Sequence, residues 1–188
     1  LDYQIARIRA QLKYAVNPAF EVTRFRKALS TQPQDLAAQY ALALTLSRAG
    51  EHAEAAELAK PLYEHNRQSI LYTGAYAEIL TAAERFDEAD ELLSNALTYY
   101  PENYPLSMLL AQNMVAQQRY REAQRIYTQL SKLRQNDTHV WFELAETSGL
   151  AGNVTAVHLA RAEYFYLNGA AHRAIQHLEY AKNLVAGD

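Results

Sequence analysis

The sequence predicts an all-α solenoid: a right-handed superhelix of antiparallel helix pairs, preceded by helices outside the repeat. Three observations predict it. Small residues recur at Ala55, Ala89, Ala123 and Val157 in steps of 34 residues (89 − 55 = 34). Three further columns keep that step: Leu42, Tyr76, Leu110 and Leu144; Ala43, Ala77, Ala111 and Ala145; Leu46, Leu80, Met114 and Ser148. Within a period the apolar residues fall at helical spacing, Leu42, Ala43 and Leu46 in a first helix and Ala55, Ala59 and Leu62 in a second.

In chain order, residues 1–33 come first and lack the repeat columns. Ile5, Ile8 and Leu12 make one helical stripe, Phe20, Phe25 and Leu29 another, and Asn17-Pro18 breaks the chain between them. This segment is expected to cap the stack or link it to an upstream domain. Residues 34–185 follow as the repeat domain, about four units plus a C-terminal helix offset by half a period. Gly50 and Gly152 mark the turn within the first and fourth pairs, because a helix commonly ends on a left-handed residue that costs glycine nothing. Glu84 and Gln118 stand at the equivalent middle turns, which should therefore cost more or use other dihedrals. The Ala columns let helices approach closely within and between pairs. Pro61 removes a donor inside the second helix of its unit and is expected to kink it. After Gly152 the pattern resumes at Ala162, Gly169, Ala174, Leu178 and Ala181, so a helix near 155–168 should close one unit and open the next.

A chain of 188 residues can bury a sizeable core without staples, and it has no cysteine for a disulfide, thiol catalysis or a thiolate metal site. A net charge of -3 gives no field for nucleic acid or an anionic membrane surface, and no apolar run is long enough for membrane insertion. A protein or peptide is the partner this composition favours. Leu1-Asp2-Tyr3 opens directly into a helical pattern, as expected of a piece of a longer protein.

No reactive constellation emerges. His52, His65, His139, His158, His172 and His177 include no pair four apart, as a His-Glu-x-x-His zinc site requires. The acidic runs Glu51, Glu54, Glu57 and Asp87, Glu88, Asp90, Glu91 read as solvated helix starts favoured by the helix dipole. The expectation is no catalytic residue, no metal and no cofactor in this chain.

The columns resemble the tetratricopeptide repeat. The second unit carries Tyr76, Ala77, Phe86, Ala89, Leu93, Ala96 and the closing Pro101; the third carries Leu110, Ala111, Tyr120, Ala123, Tyr127 and Leu130; the fourth carries Trp141, Leu144, Ala145 and Gly152. The resemblance implies that first helices line a concave groove. Starting the units at Leu36, Ile70, Tyr104 and Thr138, its fifth and ninth positions hold Tyr40, Met108 and Phe142, and Leu44, Glu78, Gln112 and Glu146, with Arg48 at a thirteenth. A carboxylate clamp like that of the family's co-chaperones would need Lys and Asn at those places, and they are missing. The apolar and aromatic floor suits an extended or helical peptide, or a neighbouring domain.

The stretches Leu1-Asp2-Tyr3-Gln4-Ile5-Ala6-Arg7-Ile8-Arg9, Ala151-Gly152-Asn153 through His158, Ala160-Arg161-Ala162-Glu163-Tyr164 and Ala174-Ile175-Gln176-His177-Leu178 resemble the C-terminal region of periplasmic M48 zinc metalloproteases, the β-barrel assembly-enhancing protease family. That resemblance implies a periplasmic module that docks on its own protease domain in cis and engages outer-membrane assembly machinery or precursors. Zinc would belong to the upstream protease domain alone. The residues leave open an alternative, a stand-alone scaffold or co-chaperone adaptor with no protease attached.

Overall fold

The structure is a computed structural model that describes residues 2–14 and 17–186. Leu1, which opens the first of the stretches compared above, lies outside the described residues. Among them are eleven helices: α1 (Asp2–Lys13), α2 (Pro18–Thr31), α3 (Leu36–Arg48), α4 (His52–His65), α5 (Ile70–Ala82), α6 (Phe86–Tyr99), α7 (Tyr104–Ala116), α8 (Tyr120–Leu133), α9 (Thr138–Leu150), α10 (Val154–Leu167) and α11 (Ala171–Ala186). They pack as two compact units, Leu1–Leu109 and Leu110–Asp188. Sequence periodicity divides the chain near residue 33, whereas packing divides it within α7, and both N-terminal helices belong to the first unit.

The 34-residue period is written into the backbone as a repeated set of local bonds. Asp35, Ser69, Asn103 and Asp137 precede the first helix of successive units, and each side chain accepts from an amide of the first turn: Ala37 at 2.9 Å, Tyr72 at 3.4 Å, Leu106 at 3.1 Å and His139 at 3.1 Å. These groups satisfy donors that a helix start leaves without intrahelical acceptors. Within each pair the chain leaves the first helix through one turn geometry. The amides of Glu51, Arg85, Arg119 and Asn153 donate to the carbonyls of Leu46, Leu80, Met114 and Ser148, each at 2.9 Å. This is the six-to-one bond of a Schellman ending, which needs a left-handed residue just before the donor.

Gly50 (φ 86) and Gly152 (φ 77) supply that residue, and so do Glu84 (φ 58) and Gln118 (φ 61). Of the two expectations for the middle turns, different dihedrals are therefore excluded. The turn is kept, and two side chains occupy a region that costs L-residues about 1–2 kcal/mol. Just after these turns Arg85 grips Glu88 through two parallel bonds of 2.6 Å, and Arg119 grips Glu122 in the same way at 2.9 and 2.8 Å. The Arg85 bond holds the Glu88 carboxyl below its ordinary range, and the Arg119 bond does the same for Glu122. Ala170 donates to Phe165 at 2.8 Å beside Gly169 (φ 76), so the same ending recurs half a period on. As the half-period offset predicts, α10 packs against both α9 and α11.

In the first unit each of α2 to α5 packs against the next, and α3 also packs against α5. Burial separates the two kinds of helix. In α3 every residue from Tyr40 to Leu46 is buried, whereas α4 buries only Ala55, Ala56, Ala59 and Leu62. First helices are thus surrounded, while second helices show one stripe to the core. Ala55, Ala77 and Ala89 are wholly buried, which leaves no room for a larger side chain in those columns. At Gly74 an added Cβ would lie 3.3 Å from Leu109, so α5 approaches that leucine as closely as a glycine allows. Helix α4 remains helical through Pro61 to His65.

In the second unit α8 packs on α9, α9 on α10 and α10 on α11. Its core includes Ala123, Tyr127, Leu130, Val140, Leu144 and Ala145. The Trp141 indole donates to the Gln135 carbonyl at 2.7 Å, as the Gln39 amide does to Pro33 at 2.7 Å three periods earlier.

Candidate functional site: a helix seated on the first repeat

The N-terminal helix does not continue the sequential packing of the first unit. Asn17 caps α2 by accepting from Phe20 at 3.2 Å, with Pro18 in the first turn where its missing donor is harmless. Helix α2 then packs on α3 as one more layer. Helix α1 also rests on α3, and reaches α5 through one side chain. Its Ile5, Ile8 and Leu12 are buried, while Tyr3, Gln4, Ala6, Arg7, Ala10 and Gln11 on its other faces are exposed. The stripe read from the sequence is therefore the contact face.

Polar groups fix the register of this seat. Arg9 of α1 donates to the Tyr40 hydroxyl at 3.1 Å and to the Glu78 carboxylate. Burial pulls the Arg9 guanidinium downward, but Glu78 and then Tyr40 outweigh it and hold the charge on more firmly than usual. Burial pushes the Tyr40 phenol up, against the opposing pull of Arg9. Arg48 donates to the Leu12 carbonyl, in the last turn of α1 where helix carbonyls lack intrahelical donors and a cation suits the dipole. Beneath these bonds lies a cavity of ≈ 80 Å³ lined by Arg9, Leu12, Leu44, Arg48 and Glu78 among others.

Four of the residues expected at the groove, Tyr40, Leu44, Arg48 and Glu78, thus converge, and what they converge on is this chain's own α1. Tyr40 is 1% exposed and its ring leans on Tyr72 with centroids 6.0 Å apart; Leu44 is 8% exposed. Met108 is buried in the first unit and presents no free surface. In the second unit Gln112 and Glu146 are exposed and Phe142 is 45% exposed. Phe142 tilts against Tyr164 at 5.9 Å, and Glu146 accepts from Arg161 at 3.1 Å. Arg161 is therefore a partner of an expected groove residue. Its neighbour His158 lies with its Nδ1 2.9 Å from Nδ1 of His177, which stacks on Phe165. Sequence reasoning missed Arg9 as a site residue. The signal was its place beside Ile5, Ile8 and Leu12 on one helix face.

Among the described residues no three His, Asp or Glu side chains gather as a metal site, and no helix is long and apolar enough to cross a membrane.

Comparison with known proteins fits this architecture. Residues 80–145 match the tetratricopeptide repeat family. The structure is similar to a thermophilic tetratricopeptide protein, TTC0263 of Thermus thermophilus, with a TM-score of 0.70 at 20% identity over 95% of this chain and 99% of that one. It is also similar to a tetratricopeptide repeat protein from Parabacteroides merdae ATCC 43184, with a TM-score of 0.64 at 14% identity over 93% of this chain and 73% of that chain. MamA MSR-1 gives a TM-score of 0.58 at 16% identity, covering 96% and 95% of the two chains. No curated protein matches the sequence. The fold is the tetratricopeptide repeat fold, a class of helical stacks whose concave faces serve as protein-binding surfaces.

Proposed function

We propose that this chain is the protein-binding module of a periplasmic zinc metalloprotease, recruiting or positioning outer-membrane assembly machinery or precursors while docked on its protease domain. The observation that carries the binding role is the seat of α1: a face of first helices that already grips a helix by three apolar anchors, a guanidinium and a terminal carbonyl. The link to the protease rests on the resemblance of the end segments. In this reading the chain contributes binding and no chemical step, and the zinc and its His-Glu-x-x-His ligands belong to the upstream domain.

Peptide mapping and intact mass of the native protein from its source cells test the assignment. A segment bearing His-Glu-x-x-His ahead of Leu1, with a cleaved export signal, is the expected result. A native protein lacking that segment would end the protease link and leave a free adaptor, whose partner a pull-down would then seek.

A further inference from the structure

We infer that α1 is a resident ligand of the first-unit groove, and that the groove's external partner is an amphipathic helix of the same chemistry that binds by displacing it. This rests on the protein-binding reading above and adds what the groove selects.

The seat specifies its occupant in three ways. Apolar side chains are required at the spacing of Ile5, Ile8 and Leu12, one face of a helix over two turns. An arginine is required directly after the middle anchor, where Tyr40 and Glu78 offer two acceptors to the Arg9 fork. A helix end is required near the last anchor, because Arg48 takes a final-turn carbonyl, that of Leu12. A partner helix must therefore read apolar, two residues, apolar, arginine, two residues, apolar, and stop within about a turn.

Two observations make α1 releasable. A helix of 12 residues is marginal in water on its own, so the order of α1 depends on the groove, and seating is coupled to folding. The fit is also incomplete: a cavity of ≈ 80 Å³ persists at the polar end, and the side chains of Arg9 and Glu78 stay 36% and 32% exposed. A helix that filled this space would hold the groove better than α1 does.

The test uses the full chain and a fluorescein-labelled synthetic peptide of residues 2–14. In Ile8→Asp/Leu12→Asp the anchors of α1 are spoiled and the groove residues are untouched. This variant should stay folded by circular dichroism and bind the peptide in fluorescence anisotropy at least tenfold more tightly than the wild-type chain. Adding Glu78→Arg should abolish that gain, and a peptide carrying Glu in place of Arg9 should recover part of it. In the unaltered chain, amides of α1 should exchange with deuterium far faster than those of α3. The inference is overturned if the folded variant binds the peptide no better than wild type, if the variant unfolds, or if α1 is protected as strongly as α3. Each would make α1 an integral layer of the stack. None of these outcomes touches the protease assignment, which the upstream sequence decides alone.

Discussion

Arg9 and Glu78 lie 69 positions apart in the sequence and meet across the seam between α1 and α5. The ion pair ties a helix outside the repeat to the second repeat unit, and each side chain keeps about a third of its surface in water. Solvent screening limits such a pair, so a double-mutant cycle of Arg9→Ala and Glu78→Ala in urea unfolding should return a coupling of about 0.5–1 kcal/mol. The coupling should shrink in 1 M salt. A coupling of zero would mean that this pair adds nothing to a seat held by the apolar anchors and by the Arg48 bond to the Leu12 carbonyl.

The left-handed residues Glu84 and Gln118 predict two stabilising substitutions. Glu84→Gly and Gln118→Gly each remove a Cβ penalty and lose some unfolded-state restriction, for a net gain of about 0.5–1 kcal/mol. Gly50→Ala should lose about 1 kcal/mol although nothing lies within 4 Å of the added Cβ, because its cost is conformational. Differential scanning calorimetry reads these as shifts of about 2–4 °C per kcal/mol.

The N-caps give a graded series. Asp35, which accepts from both Ala37 and Ala38, should cost about 1–2 kcal/mol on replacement by Ala. Ser69, with one bond of 3.4 Å, should cost about 0.5 kcal/mol. Chemical denaturation of the two variants checks the order.

His177 predicts an acid-sensitive joint between α10 and α11. Burial, then His158 and Arg161, hold its imidazole below the ordinary range. The folded state therefore prefers the neutral ring, and its contribution is present above the unfolded-state value of about 6.5 and lost as pH falls through the folded value. The short Nδ1 contact with His158 also requires at least one neutral ring. Charges facing this cluster are Arg161 on α10 and Arg173 on α11, both positive, with Tyr180 and Phe165 as neutral walls. The melting temperature should fall between pH 7.5 and 5, and His177→Gln should flatten that slope.

The small-residue columns forbid growth. Ala55 and Ala89 are wholly buried, and Leu at either should destabilise the stack by about 1–3 kcal/mol or more through overpacking. Urea midpoints of the two variants measure it.

The architecture was legible because a repeat states its pattern several times. The columns at Leu42, Ala43, Leu46 and Ala55, repeated through the chain, located the helix pairs, and Asn17-Pro18 located the break between α1 and α2. The caps at Asp35, Ser69, Asn103 and Asp137 were equally regular but were not singled out, since Asp, Ser and Asn share an acceptor atom rather than a size. The site was less legible. Family offsets mark Tyr40, Leu44, Arg48 and Glu78 as groove residues, yet no offset reveals that a helix from residues 2–13 folds back onto them. That contact joins segments far apart in sequence, and periodicity carries no information about it. Met108 and Phe142 share a position in the pattern, but one is buried and the other 45% exposed, because exposure depends on what each helix meets.

The recurrence of one cap and one turn at every unit also bears on how such a chain changes length. Each unit begins on a side-chain acceptor and reverses through the same six-to-one bond, so the chemical ends of any unit match those of any other. Excision or duplication of a whole period would rejoin equivalent atoms and leave every local bond with a partner. An insertion of any other size would leave the caps intact but shift the small-residue columns out of their 34-residue step. Recombination between genes for such proteins thus has a natural quantum, and the sites where it can act silently are the short turns ahead of Asp35, Ser69, Asn103 and Asp137.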